Sequence, residues 1–107
     1  MTIKEFQDRC YQQAIELGWT SKPITVPEQI ALIHSEASEA LESFRNGDPL
    51  SFTGEGGKPE GIASEYADIM TRIGHYACAL GIDLEYEIQR KLAFNLTRGY
   101  RHGDKKI

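Results

Sequence analysis

Two pairs of acids, Glu36 with Glu39 and Glu65 with Asp68, share a three-residue spacing in stretches that read as consecutive helices. Residues three apart lie on one helix face, so each pair sets two carboxylates side by side. Within "HSEASEALES", Glu42 extends the first ladder by a turn. Stacked glutamates repel, which leaves two alternatives: an acidic face open to water, or a cluster held together by a cation. The neighbours favour the second. Glu36 and Glu39 lie beside Ile33, Ala37 and Ala40, and Glu65 and Asp68 are flanked by Ile62 and Ile69. Both pairs thus border an apolar seam, where adjacent helices would bring four carboxylates into a partly dry cleft. They cannot all stay ionised there without compensation.

All four are hard oxygen donors, and neither pair has the Glu-x-x-His form of di-iron and di-manganese bundles, which disfavours a carboxylate-bridged redox protein. The expected ion is Mg²⁺, with Mn²⁺ as a substitute. Mg²⁺ keeps several waters and takes further ligands from phosphate oxygens, so the substrate should carry phosphates. Glu42 faces Thr71 and Arg72 rather than an acid, and Arg72 is its expected salt-bridge partner.

A second set suits such a substrate. Lys91, Asn95 and Arg98 recur at spacings of four and three on one face of the last helix, and Arg101, His102 and Lys105 follow. A point charge, an amide and a guanidinium fork in a row fit a polyphosphate chain. The plainer alternative is a solvated helix end whose bases complement the helix dipole. Charge is split along the chain: residues 90–107 hold six of the twelve Lys and Arg against one acid, Asp104, for a net +5, while residues 1–89 carry −9. The bases are too few, and too little interleaved with aromatics, for a nucleic-acid polymer to be the expected partner. Trp19 and Phe52 are the candidate contacts to a base. Phe44 and Tyr66 are further aromatics with a ready explanation in packing, and Lys58 is a loop lysine able to reach a phosphate. His34 and His75 read as packed or surface residues, and Cys10 and Cys78 as small buried thiols.

Four helical segments must position these residues. The first runs from about Thr2 to Gly18, with Ile3, Phe6, Cys10, Ala14 and Leu17 as its apolar stripe. The second opens on the capping box Thr25-x-x-Glu28, with Pro27 in its first turn; its stripe is Ile30, Ile33, Ala37, Ala40, Leu41 and Phe44. Residues 46–60, rich in Gly and Pro, read as one long loop without strands. The third helix covers about Glu60 to Leu80, with the stripe Ile62, Tyr66, Ile69, Ile73, Ala77 and Leu80. Gly81 stops it, Asp83 caps the fourth, and Leu84, Ile88 and Leu92 line the fourth up to about Arg98. The expectation is one all-α domain over residues 1–107, a four-helix bundle with a basic tail at 99–107, completed by a second chain. No apolar run is long enough for a membrane span, and "MTIKEFQDRC" lacks the apolar core of a signal peptide, so the expected address is the cytoplasm.

The order Glu36-x-x-Glu39, Glu65-x-x-Asp68, Lys91-x-x-x-Asn95-x-x-Arg98 resembles the MazG-like all-α nucleoside triphosphate pyrophosphohydrolases, relatives of the dimeric dUTPases and dCTP pyrophosphatases. The likeness runs from about Pro27 to Lys105 and is closest in "EGIASEYADIMTRIGHYACALGIDLE" and "NLTRGYRHGDKK". It implies a helical homodimer or homotetramer that cleaves a (deoxy)nucleoside triphosphate to the monophosphate and pyrophosphate. Carried over by position, Glu36, Glu39, Glu65 and Asp68 would be the Mg²⁺ ligands, and Lys91, Asn95, Arg98 and Lys105 the phosphate contacts. Glu36 and Glu39 are the expected catalytic residues, with Glu39 favoured as the base. Two positions depart from the family pattern: Ser35 where a second glutamate often stands, and Asp104 where the tail often has glycine. The rival expectation is a non-catalytic helical interaction or regulatory module whose acidic and basic faces pair between chains.

Overall fold

The computed structural model describes residues 1–98. Among these, α1 spans Ile3–Glu16, α2 Val26–Arg45, α3 Ile62–Ala79 and α4 Leu84–Thr97. The fold is therefore mostly helical, as expected. Local chemistry fixes the helix starts. The Thr25 hydroxyl accepts the Glu28 N–H and the Glu28 carboxylate accepts the Thr25 N–H. A second such box, Thr2 with Glu5, opens α1; its signature stands in the sequence but the periodicity alone does not use it. Asp83 accepts the Tyr86 N–H and caps α4. Gly81 takes φ 71° just beyond α3, the left-handed turn that glycine adopts without strain.

The long loop is not strandless. Phe52–Thr53 (β1) pairs antiparallel with Pro59–Glu60 (β2), Phe52 opposite Glu60, around a single 3-10 turn at Glu55–Gly57. The turn closes because Gly56 and Gly57 both hold positive φ. Two-residue strands leave no period-two pattern to read. The hairpin takes Glu60 out of the third helix, which starts after Gly61 instead.

The central element is α3: α1 and α2 both pack against it, and α4 packs on α1. Small side chains make the contact close. Cys10 and Ala14 of α1, Ala40 of α2 and Ala77 of α3 are buried, with Tyr76 as the one large buried apolar side chain among the described residues. Gly74 lets Cys10 lie against the α3 backbone, since a Cβ there would sit 2.9 Å from the Cys10 sulfur.

The predicted stripes are only partly buried. On α2 the buried line is Gln29, Glu36, Ala40 and Ser43, while Ile30, Leu41 and Phe44, one position further round, are exposed. A helix with a single neighbour covers one strip of its surface. Here the covered strip is largely polar and the adjoining apolar strip is left open. Ala37, Leu41, Phe44, Ile62, Tyr66 and Ile69 line an apolar groove of about 350 Å³ between α2 and α3. Leu92, Phe94 and Leu96 of α4 are exposed as well.

Gly74→Val should destabilise the protein by about 1–3 kcal/mol through overpacking against Cys10. Urea denaturation followed by circular dichroism measures this, and a variant as stable as the wild type would contradict the close α1–α3 contact.

Candidate metal centre

The seam between α2 and α3 does bring the carboxylates together. Glu36, Glu65 and Asp68 each offer one oxygen, and the three oxygens lie within 4.8 Å of one another. The first reason is local: Glu36 falls on the buried line of α2, so its side chain, only 10% exposed, points at α3. The second is spacing, since Glu65 and Asp68 present adjacent carboxylates on the facing side of α3.

The three acids differ in environment. Glu36 is buried and its Oε1 accepts a hydrogen bond from Arg72 Nε at 2.8 Å. Among the described residues its other oxygen, Oε2, is buried without a partner, and so is Glu65 Oε2. An orphaned buried acceptor is costly, the more so when charged. Burial raises the Glu36 carboxyl, but the Arg72 hydrogen bond and charge, together with the contacts to Glu39 and Glu65, outweigh this, and Glu36 stays below the usual glutamate value. Among the described residues Glu65 has no such cation; burial and the adjoining Glu39 carboxylate push it up to about 7. Asp68, though exposed, is also raised, by desolvation of its carboxyl and by the Glu36 charge, with Arg72 and Lys58 pulling the other way.

These observations fit a divalent cation. Two buried oxygens lack a partner among the described residues, the donors are all carboxylates, and burial together with neighbouring negative charge is already lifting two of the three. An octahedral Mg²⁺ with oxygens at about 2.1 Å spans ligand atoms up to about 4.2 Å apart, so a modest contraction would close the set.

Glu39 lies one turn beyond Glu36 and is exposed. It is outside the convergent trio but beside Glu65, whose proton it helps to retain. The expected pairing of Arg72 with Glu42 is wrong. Arg72 turns inward to Glu36, because Glu36 sits on the buried face while Glu42 is on the exposed one. The signal for this was a line of positions four apart on α3, Asp68, Arg72 and Tyr76, which the sequence reading overlooked. Arg72 Nη1 also donates to the Tyr76 hydroxyl at 3.0 Å.

The basic set stands apart from the acids. Lys91, Asn95 and Arg98 belong to α4 and its C-cap, and α4 packs on α1 rather than forming the α2–α3 seam. No side-chain hydrogen bond or ion pair among the described residues joins them to the carboxylates. Arg98 lies over the Phe94 ring, 5.6 Å from its centre. Lys105, with Arg101, His102 and Asp104, lies outside the described residues. The cation that reaches Asp68 electrostatically, besides Arg72, is Lys58 of the hairpin.

The two base candidates separate. Trp19, in the α1–α2 connection, lines a cavity of about 430 Å³ with Ile24, Leu32, Arg72, His75 and Tyr76. Arg72 thus faces both that cavity and Glu36. Phe52 is half-buried in β1. His75 is half-buried, its ring tilted against Tyr11 and Tyr76 at 5.9 and 4.8 Å, and burial keeps it neutral to a lower pH than usual. Cys10 and Cys78 are both free thiols. No described helix is long and apolar enough to cross a membrane. Comparison of the chain with family models, curated proteins and solved structures finds no match.

A raised carboxyl value in the fold means that stability is fully present below about pH 4.5 and is lost as pH rises through about 7. The metal-free melting temperature should therefore fall between pH 5 and 8 in the wild type relative to Glu65→Gln, which keeps the neutral form throughout. Parallel pH curves for the two proteins, measured in chelator, would contradict the crowding of Glu65.

Proposed function

We propose that the protein is a Mg²⁺-dependent nucleoside triphosphate pyrophosphohydrolase, splitting the α–β anhydride of a (deoxy)nucleoside triphosphate into monophosphate and pyrophosphate. The observation that carries this reading is the convergence of Glu36, Glu65 and Asp68 around two partnerless buried oxygens. The resemblance of the acidic and basic motifs to the MazG-like enzymes supplies the reaction.

Glu36, Glu65 and Asp68 would hold the ion, with Glu39 at its edge. When bound, the ion supplies Lewis acidity toward water and phosphate oxygens. The chain's own groups do the rest. Glu39, exposed and outside the trio, is free to accept the proton of the attacking water. Lys58 is placed to attract phosphate oxygens beside Asp68. Lys91, Asn95 and Arg98 would stabilise charge on the departing pyrophosphate. Trp19 is the better-supported contact to the base, since its cavity adjoins the acidic seam through Arg72.

In this reading the functional particle is a homodimer or homotetramer. The open α2–α3 groove and the exposed Leu92, Phe94 and Leu96 leave an apolar surface that a second copy would cover. The same association would bring α4 cations of one copy toward the acids of another. Light scattering should accordingly give a mass at least twice the 12.0 kDa of the chain; a monomer at micromolar concentration would contradict this.

Asp68→Ala and Glu39→Ala should each abolish Mg²⁺-dependent pyrophosphate release in a screen of nucleoside triphosphates while leaving helical content intact. Wild-type turnover in Asp68→Ala would overturn the reading. Mg²⁺ with a non-hydrolysable nucleotide at a hundredfold excess over Kd should raise the melting temperature by on the order of 10 °C. A non-catalytic interaction module would show no such rise.

A further inference from the structure

Arg72 occupies an unusual position among the described cations. Its side chain is about one-third exposed, yet it donates through Nε to Oε1 of the nearly buried Glu36 and through Nη1 to Tyr76, itself only 5% exposed. Nε and Nη1 belong to one rigid plane, so anchoring one nitrogen fixes the direction of the other. The Tyr76 ring is in turn held in the core, tilted against His75. The chain of constraint runs from a packed aromatic ring, through a planar fork, to one oxygen of a carboxylate. The second oxygen of that carboxylate, Oε2, is buried without a partner among the described residues, and Glu65 and Asp68 each bring an oxygen close to the same carboxylate.

We infer that Arg72 is a positioning residue: anchored on Tyr76, it holds Glu36 Oε1 so that Oε2 is presented to a divalent cation shared with Glu65 and Asp68. The inference rests on the metal-site reading above and adds to it the device that orients the key ligand. A glutamate side chain has three rotatable bonds, and a free Glu36 could turn either oxygen, or neither, toward the seam. The arginine fork removes that freedom before any ion arrives. Outer-shell partners of this kind orient ligands in metal sites generally and change affinity by roughly 10–100-fold when lost.

The positive charge of Arg72 works in the opposite sense, because a cation beside a metal site repels the metal. Deleting the charge would therefore mix two effects, and the informative variants conserve it. Arg72→Lys keeps the charge but cannot serve Glu36 and Tyr76 from one plane. Tyr76→Phe removes only the anchoring hydroxyl and keeps the ring.

The experiment is titration of the full chain with Mn²⁺ at pH 8, following free Mn²⁺ by electron paramagnetic resonance, alongside metal-free melting curves. Arg72→Lys should bind Mn²⁺ roughly 10–100-fold more weakly than the wild type, and Tyr76→Phe should weaken it in the same direction. Should Arg72→Lys fail to fold, Tyr76→Phe decides the matter alone. Variants that bind Mn²⁺ as tightly as the wild type, or more tightly, overturn the positioning role and leave the metal site standing. A wild type that binds no Mn²⁺ overturns both.

Discussion

A carboxylate buried between two helices has to be compensated, and here the compensation is the Arg72 guanidinium 2.8 Å from Glu36. Removing one partner of such a pair leaves an uncompensated charge and typically costs about 3–5 kcal/mol. The pair explains why α2 can bury a largely polar line, Gln29, Glu36 and Ser43 with Ala40 among them, against α3 in place of its apolar one. It also explains the uneven state of the acids. Arg72 satisfies one oxygen of Glu36, while burial and the neighbouring Glu39 carboxylate hold the proton on Glu65 up to about pH 7. One arginine compensates one glutamate, and in the proposed account a bound cation meets the remaining negative charge.

Burying polar residues on α2 has a consequence for the surface. The apolar residues that a helix of this composition would ordinarily bury, Leu41 and Phe44 among them, are turned outward beside Tyr66. Leu92 and Leu96 on α4, which packs mainly on α1 among the described residues, are exposed as well. The polar seam and the open apolar groove are therefore two sides of one rotation of α2. A chain arranged this way has its candidate chemistry at an internal seam and an open apolar groove next to it. In the proposed account, association and ligand binding are coupled for that reason.

The acids were the most legible part of the site. Their three-residue spacing and their border position on an apolar stripe pointed to the α2–α3 seam, and Glu36, Glu65 and Asp68 meet there. Helix ends were equally readable, because Thr25, Gly81 and Asp83 act through local chemistry that needs no tertiary information. What failed was non-local. Periodicity says which residues could be buried, but not which of two adjacent strips the neighbouring helix covers, and Ile30 and Phe44 fell on the uncovered one. Arg72 was assigned to Glu42 for the same reason: the choice between two glutamates two turns apart depends on the rotation of α2, which spacing does not set. The β1–β2 hairpin was invisible because two-residue strands carry no pattern. The relation of Lys91, Asn95 and Arg98 to the acids is a matter of how α4 docks, and it docks on α1.

The central claim is that Glu36, Glu65 and Asp68 form one cation site, with Glu36 contributing the oxygen that Arg72 leaves free. Anomalous diffraction from crystals soaked in Mn²⁺ tests it most directly. The account predicts a peak within about 2.5 Å of Glu36 Oε2 and of a carboxylate oxygen from both Glu65 and Asp68. A fully loaded crystal with no peak at the α2–α3 seam, or with the metal on Glu42 or on surface acids alone, would contradict it.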